Sequence, residues 1–585
     1  MALLDHPQAA GGAGRPAADT AGLVDALREA AGARQVLTSR KATERYRKSF
    51  RGAVGEAVAV VRPASLLALW RTLEACVAHG AIVIMQAQNT GLTNGSTPDS
   101  AGYDRPVVIV NTLRLDGIQL LDGGRQVVSL PGATLYRLEQ MLKPLGREPH
   151  SVIGSSCVGA SIVGGVCNNS GGSLVRRGPA YTELALFAQI DEQGKLQLVN
   201  HLGIRLGTTP EEILTRLEKG EYGPGDIDHD AGLASDSRYA ERIRDVDEPS
   251  AARFNADPTL LHEAAGSAGK LCVFAVRLDT FPAETDAATY YIGTNDPAAL
   301  TTLRRRLLSR LSMLPIAGEY MHRDMFDACR KYGRDTFLLI HHFGTDVMPI
   351  FFGIKRRLDA TFNSWPFLPR ALVDRVIQAL ASLWPFEVLP KKMLDFGKRY
   401  EHHLILKVSA ATVGETEGIL DELFATEDGG YFRCTPDEGE RAFLHRFSAG
   451  STVTRYALVN DDRIEAIMPL DVALRRNDDA WAAPLPPAIA DQIEAQLYCA
   501  HFLCHVFHME LAVKKGVDME ALKARMLAYL ESRGAQYPAE HNVGHLYEAK
   551  PAQLAFFRKL DPTNAFNPGI GHSTRLRNWR LPNAG

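Results

Sequence analysis

Several protein classes are excluded by what this chain lacks. Its eight cysteines are scattered, and no two form a C-x-x-C pair. That removes support for zinc ribbons, iron–sulfur runs and thioredoxin chemistry, and a reducing compartment suits free thiols. Long apolar runs are missing too. The longest uncharged stretch, 149–175, is rich in Gly and Ser and holds Asn168 and Asn169, unlike a bilayer span. The opening MALLDHPQAAGGAGRPAADT has neither a basic start nor an apolar core, so no secretory signal is expected there. Excess charge of one sign is also lacking: 65 basic against 68 acidic residues leave a net charge of −3, which argues against a dedicated nucleic-acid binder. Neither G-x-x-x-x-G-K-[ST] nor a strand–G-x-G-x-x-G–helix unit occurs, so P-loop and ordinary dinucleotide folds are set aside.

What is present is an ordinary globular composition, 45% hydrophobic and 23% charged over 585 residues, enough for several cores. Strand and helix signals alternate, which predicts α+β or α/β organisation. Ser65 heads a helical pattern over 65–78, AIVIM (81–85) and VVIVN (107–111) read as strands, and a leucine stripe through Leu135, Leu138 and Leu142 reads as a helix. The acidic stretch 211–248 reads as a solvated excursion. A strand–helix–strand unit then suggests a separate domain from about residue 283. Between 351 and 400 stand nine aromatics, and 355–399 carries nine basic against four acidic residues, a combination suited to a membrane interface.

Two loops carry the chemistry. The turn-rich 86–98 offers Asn89, Thr90, Gly91, Asn94, Gly95 and Ser96, and 151–178 offers Gly154, Gly159, Gly164, Gly165, Gly171 and Gly172 with Ser and Asn between. Exposed backbone N–H groups in such loops form concave anion sites, so the pair predicts a pyrophosphate-bearing cofactor. Further on, Glu540-His541 lies in a loop, where His is the natural base near neutral pH. His402-His403 opens a strand, where alternation turns only one inward. His501, His505 and His508 have the spacing of one helical face and read as packing. His322-Arg323-Asp324 imitates a kinase loop, but Cys329 replaces the required Asn; His508-Met509-Glu510 imitates a deaminase H-x-E without its P-C-x-x-C.

The strings QAQNTG…GS (86–96), SIVGG (161–165), NSGG (169–172), DP (561–562) and NPG (567–569) resemble the vanillyl-alcohol-oxidase type of flavoprotein. REPHSVIGSSCVGAS, FNADP, GEYMHRD, FLHRF, ALRRND, VKKGVD and RGAQYPAEHNVGHLY narrow the resemblance, from about residue 35 to the end, to bacterial quinone-dependent D-lactate dehydrogenases. The resemblance implies an α+β, two-subdomain FAD-binding fold with an α/β cap domain and an interfacial helical membrane-binding segment. The implied parts are an FAD-binding domain at 1–280 and 534–585, a cap at 281–321 and 400–533, and a membrane-binding segment at 322–399 with a second membrane-facing insertion near 438–462.

FAD contacts are implied at Ala87, Gln88, Asn89, Thr90, Gly91, Gly95, Ser96, Gly154, Ser161, Gly171 and Val273, the last as an edge-strand backbone partner. Gln88 and Asn89 replace glycines, which suggests side-chain amides at the anion. No His stands where the flavin would be attached, so FAD is expected to be non-covalent. His541 is the expected base, with Glu540 orienting it or binding metal. His403 is a further candidate. Related proteins pair a His at that place with one seven residues upstream, where this chain has Phe396, so no metal is expected. Arg323 and Arg475 are candidate clamps for a substrate carboxylate. The implied activity is oxidation of D-lactate to pyruvate with electrons passed to a membrane quinone, by a protein held peripherally on anionic lipid at the cytoplasmic face of the bacterial inner membrane. The alternatives are another D-2-hydroxy acid, such as glycolate or 2-hydroxyglutarate, or a flavin-binding membrane-surface protein without turnover.

Overall fold

The computed structural model describes residues 20–581 apart from 50–51, 100–101, 151–158, 384–386 and, between 345 and 371, all but 351, 358 and 362. Three main sheets organise the chain. The first holds β1 (Val36–Leu37), β2 (Ala59–Val61), β3 (Ile82–Gln86) and β4 (Val107–Asn111) in the order β1-β2-β4-β3. The pairs β2–β4 and β3–β4 are parallel. Such strands are covered on both faces, and β4 is buried at all five positions, which explains its unbroken VVIVN. The helix Leu66–Ala78 begins where Ser65 accepts the N–H of Ala68 and buries Leu66, Leu69, Trp70 and Leu73. The chain end returns to this sheet: Val83 N–H donates to Ala565 O, and Asn567 N–H donates to Val83 O.

The second sheet holds β5 (Ile118–Leu121), β6 (Gln126–Ser129), β8 (Ala185–Ile190), β9 (Leu196–Asn200) and β10 (Cys272–Asp279), ordered β5-β6-β10-β8-β9. A small ribbon pairs β7 (Arg147–Glu148) with β11 (Phe281–Pro282). The acidic stretch 211–248 carries the helices Pro210–Lys219 and Tyr239–Arg244. Their apolar sides, Leu214 and Leu217 on one and Tyr239 and Ile243 on the other, are buried.

The third sheet has seven strands: β12 (Ala287–Thr294), β13 (Ala317–His322), β14 (His402–Ser409), β15 (Gly430–Arg433), β16 (Ile464–Ala473), β17 (Ile493–His501) and β18 (Val506–Lys514). Their order is β15-β12-β14-β13-β17-β18-β16. All pairs are antiparallel, although the sequence alternates strands with helices. One face packs on the helices Arg323–Tyr332, Pro436–Phe447 and Ala449–Val459, through Tyr291, Met321, Phe326, Ile405, Ala442, Val453 and Cys499.

One expectation fails. His501, His505 and His508 do not share a helix. They belong to the hairpin β17–β18, with His505 at φ 54 in its turn. The i, i+4, i+7 spacing matches a helix, but the β-branched and aromatic residues of 493–514 go with strands, and the turn at His505 brings His501 and His508 together.

Candidate functional site at the meeting of the seven-stranded sheet and the glycine-rich loops

Sheet register builds a polar row across four strands. Glu319 of β13 stands opposite His501 of β17, and Asp471 of β16 stands opposite His508 of β18. Their side chains touch. Glu319 lies 2.7 Å from His501 Nδ1 and 3.1 Å from Arg446, which the helix Pro436–Phe447 contributes. The His501 and His508 rings lie 5.1 Å apart, edge to face.

The loop before the final helix closes over this row. Glu540 Oε2 lies 3.4 Å from His501 Nε2, and the Glu540 N–H donates to Asp471 at 2.6 Å. Asp471 Oδ2 also lies 3.4 Å from His541 Nδ1. The buried guanidinium of Arg253 donates to Glu540 and to the carbonyl of Gly172, tying the row to the second glycine-rich loop. Asn255 adds a second tie: its amide donates to the carbonyls of Asn168 and Asn169, and its oxygen accepts the N–H of Asn542 at 2.8 Å. A Cβ on Gly171 would run into the Glu540 carboxylate, so only glycine lets loop and row come this close. The first loop is held from the same side, where Thr93 Oγ1 donates to His541 O at 3.0 Å. Asp471, His508, Glu510, His541 and Thr93 line a cleft there.

The charges follow from burial and pairing. Burial raises the Glu540 carboxyl, but Arg253 and His501 outweigh it and hold the group well below the usual carboxylate range. Burial lowers His501, and the flanking Glu319 and Glu540 overcome that and push it up to about 10. His508, desolvated and beside charged His501, is held well below the usual histidine range. Burial leads at Asp471, which is raised although His541 pulls the other way.

His501, His508 and Glu540 form a group that could hold a metal, their ligand atoms lying within 4.8 Å of one another. A cation there would displace the His501 proton, because a coordinating imidazole must be neutral. The histidine pair with seven-residue spacing, sought at 396 and 403, stands instead at 501 and 508.

His403 takes another place. Its ring is buried between Phe326, at 5.0 Å, and Tyr291, at 5.8 Å, and has no contact with Glu540 or His541. Arg323 donates to the carbonyls of Tyr400 and Lys398. Arg475 lies against Gly534, and its carbonyl bonds His505. Neither arginine joins the row; Arg446 and Arg253 do. Arg446 stands in the string FLHRF and Arg253 directly precedes FNADP, but no local pattern marks a guanidinium that reaches across sheets.

The loops suit a pyrophosphate-bearing cofactor. Asn89, Asn94, Asn169 and Asn567 all have positive φ, and the side-chain oxygens of Asn94, Asn169, Asn567 and Ser267 are buried with no partner. Such orphaned polar atoms need a ligand or water to satisfy them. Ala87 and Thr90 lie on the first loop after β3, and a side chain at Gly91 would meet open space. Gly95 faces Gly544. The amide of Asn89 is not free for an anion: it donates to Lys48 O and accepts from Ser96, bracing the loop. Gln88 packs on Gly159. Ser161 caps the helix Ile162–Cys167, accepting the N–H of Gly164. Gly154 lies outside the described residues. Val273 is on β10, the middle strand rather than an edge, but β6 pairs only with 276–279, so one side of 272–275 is open.

Comparison with known proteins decides the family. The chain is 54% identical over 562 residues to the quinone-dependent D-lactate dehydrogenase of Escherichia coli, covering 96% of this chain and 98% of that one. It belongs to the quinone-dependent D-lactate dehydrogenase family. The protein of that name from Haemophilus influenzae is 53% identical, covering 95% and 99% of the two chains. Residues 57–197 match the FAD-binding domain family, and 289–579 match D-lactate dehydrogenase, membrane binding. A solved p-cresol methylhydroxylase with substrate bound shares the fold at 13% identity, with a TM-score of 0.57 over 94% of this chain and 96% of that one. FAD is therefore the cofactor, and both glycine-rich loops fall within the matched FAD-binding domain. Among the described residues, no helix is long and apolar enough to cross a membrane.

Proposed function

We propose that this chain oxidises D-lactate to pyruvate and delivers the electrons to a membrane quinone, docked peripherally on anionic lipid at the cytoplasmic face of the inner membrane. Family membership supports the reaction. The observation that carries it to this chain's residues is that His541 and Asp471 line one cleft between the seven-stranded sheet and the first glycine-rich loop.

Bound FAD supplies the acceptor for the C2 hydride. The chain's residues do the rest. The backbone amides of 87–91, 95–96 and 171 and the cap at Ser161 hold the diphosphate without covalent attachment. His541 Nε2 takes the hydroxyl proton. Arg446, rather than Arg323 or Arg475, offers the cation for the substrate carboxylate, since its guanidinium belongs to the polar row. Glu540 stays ionised between Arg253 and His501 and holds the loop on the row.

Membrane attachment rests on the helices Arg334–Phe343 and Leu372–Ser382. They expose Phe343 at 66%, Val376 at 47% and Leu380 at 63%, with Leu383 beyond them at 78%. Lys391, Lys392, Lys398 and Arg399 follow in sequence. The basic, aromatic 351–371 falls largely outside the described residues.

The test is an absorbance scan of the purified flavoprotein. D-lactate should bleach the flavin band, while glycolate and 2-hydroxyglutarate should bleach it weakly or not at all. His541→Ala should keep its FAD and lose the bleaching by about 100-fold or more in rate. Equal bleaching by another 2-hydroxy acid would reassign the substrate, and bleaching by none would leave a flavin-binding protein without turnover.

A further inference from the structure

We infer that Asp471 is the positioning residue of His541, resting on the reading of His541 as the base. Its carboxylate receives the Nδ1 hydrogen of the imidazole, leaving Nε2 as the bare nitrogen that faces substrate.

Three observations place Asp471 in this role. It is buried near the end of β16, with its backbone fixed by the register Asp471–His508 and Val472–Phe507 against β18. Its Oδ2 is shared by the base and its chain neighbour, accepting the Glu540 N–H at 2.6 Å and lying 3.4 Å from His541 Nδ1. His541 is held from behind as well, because Thr93 Oγ1 donates to its carbonyl at 3.0 Å. Backbone and one ring nitrogen are thus both fixed, and no described residue bonds Nε2.

The electrostatics agree with this geometry. Asp471 Oδ1 is buried, bonds no donor, and lies 3.7 Å from His508 Nδ1. A carboxylate held in such a place stabilises positive charge that forms nearby. When Nε2 takes the substrate's hydroxyl proton, the imidazole becomes a cation whose Nδ1 lies 3.4 Å from Asp471 Oδ2. The same proton transfer without Asp471 would form that cation with no carboxylate beside Nδ1. A neutral imidazole has one N–H, and the group facing Nδ1 selects which nitrogen carries it. In this chain that selection falls to a strand residue of the cap acting on a loop residue of the FAD-binding half.

A purely structural Asp471 would serve only to hold the Glu540 N–H, and Asp471→Asn separates the two roles. The amide oxygen, seated where Oδ2 stands, still accepts the Glu540 N–H, while the negative charge that balances the imidazolium forming at His541 is lost. Asp471→Asn should therefore keep its FAD and its melting temperature, bind D-lactate with an affinity within about 3-fold, and reduce its flavin about 100-fold or more slowly in stopped flow. A limiting rate within about 3-fold of the unaltered enzyme would overturn the assignment. Asp471→Gly supplies the second measurement. Added formate should raise its flavin-reduction rate at least about 10-fold over chloride of equal ionic strength, and no gain would count against the proposal. His541→Ala run in parallel keeps the two ideas apart. Normal reduction by that variant removes the base itself, whereas slow His541→Ala with fast Asp471→Asn removes only the positioning role.

Discussion

At the scale of single residues, the buried charges decide most. Arg253 and Glu540 pair out of contact with water, and removing one member of such a pair leaves the other uncompensated, a loss of about 3–5 kcal/mol. Arg253→Leu should lower the melting temperature and release the loop from Gly172, measured by thermal unfolding and by FAD content. His403 illustrates the opposite case. Burial, with Arg323 close by, lowers it from 6.5 to about 3, and it works as an aromatic wall between Phe326 and Tyr291. Burial lowers His445 to about 3 and His402 to about 4 as well. The unfolded chain therefore binds more protons than the folded one between those values and 6.5. Stability contributed by these histidines is present above 6.5 and is lost as pH falls through that window, by about 2 kcal/mol for each at pH 5. The melting temperature should drop from pH 7.5 to pH 5. His403→Phe should shrink that drop and leave flavin reduction intact. A His403 acting as a base would instead show a large rate loss.

At the scale of elements, the glycine-rich loops and their flanking strands are legible because their signals are local. Ser65 and Ser161 both cap where helices begin. The hairpin β17–β18 is less legible, since histidines at 501, 505 and 508 satisfy a helical count, and only pairing with β13 and β16 shows which of them face the site. Val373 of the helix Leu372–Ser382 is buried at 9% exposure, while Val376, Leu380 and the following Leu383, spaced by four and three residues, are exposed. Such an outward apolar stripe beside basic residues favours a lipid surface. Leu380→Glu with Leu383→Glu should weaken binding to anionic vesicles by at least about 10-fold in flotation, while D-lactate still bleaches the flavin in solution. Unchanged flotation would move the docking surface elsewhere.

At the scale of the whole molecule, residues near 567 tie the first glycine-rich loop to the start of the second sheet's middle strand. Asn567 donates to the carbonyls of Gly95 and Ala268, drawing the first loop, the start of β10 and the chain end together. A ligand gripped by both loops binds only the folded state and should raise stability by about 2.7 kcal/mol at a hundredfold excess over its dissociation constant. Stripping FAD should lower the melting temperature, and adding it back should restore it. No such shift would mean that the loops do not grip the cofactor.

The amino-acid sequence by itself determined the cofactor loops, the alternation of strands and helices, and the loop that carries His541, because caps, glycines and hydrophobic period act over a few residues. Tertiary structure alone decided which charged groups share the site. Glu319, Arg446, Asp471 and His501 come from four different elements, and Arg253 reaches Glu540 across 287 residues of chain. No local pattern encodes such neighbours. They meet because antiparallel register fixes side chains on one sheet face, and because the final loop can approach that face only where Gly171 leaves room.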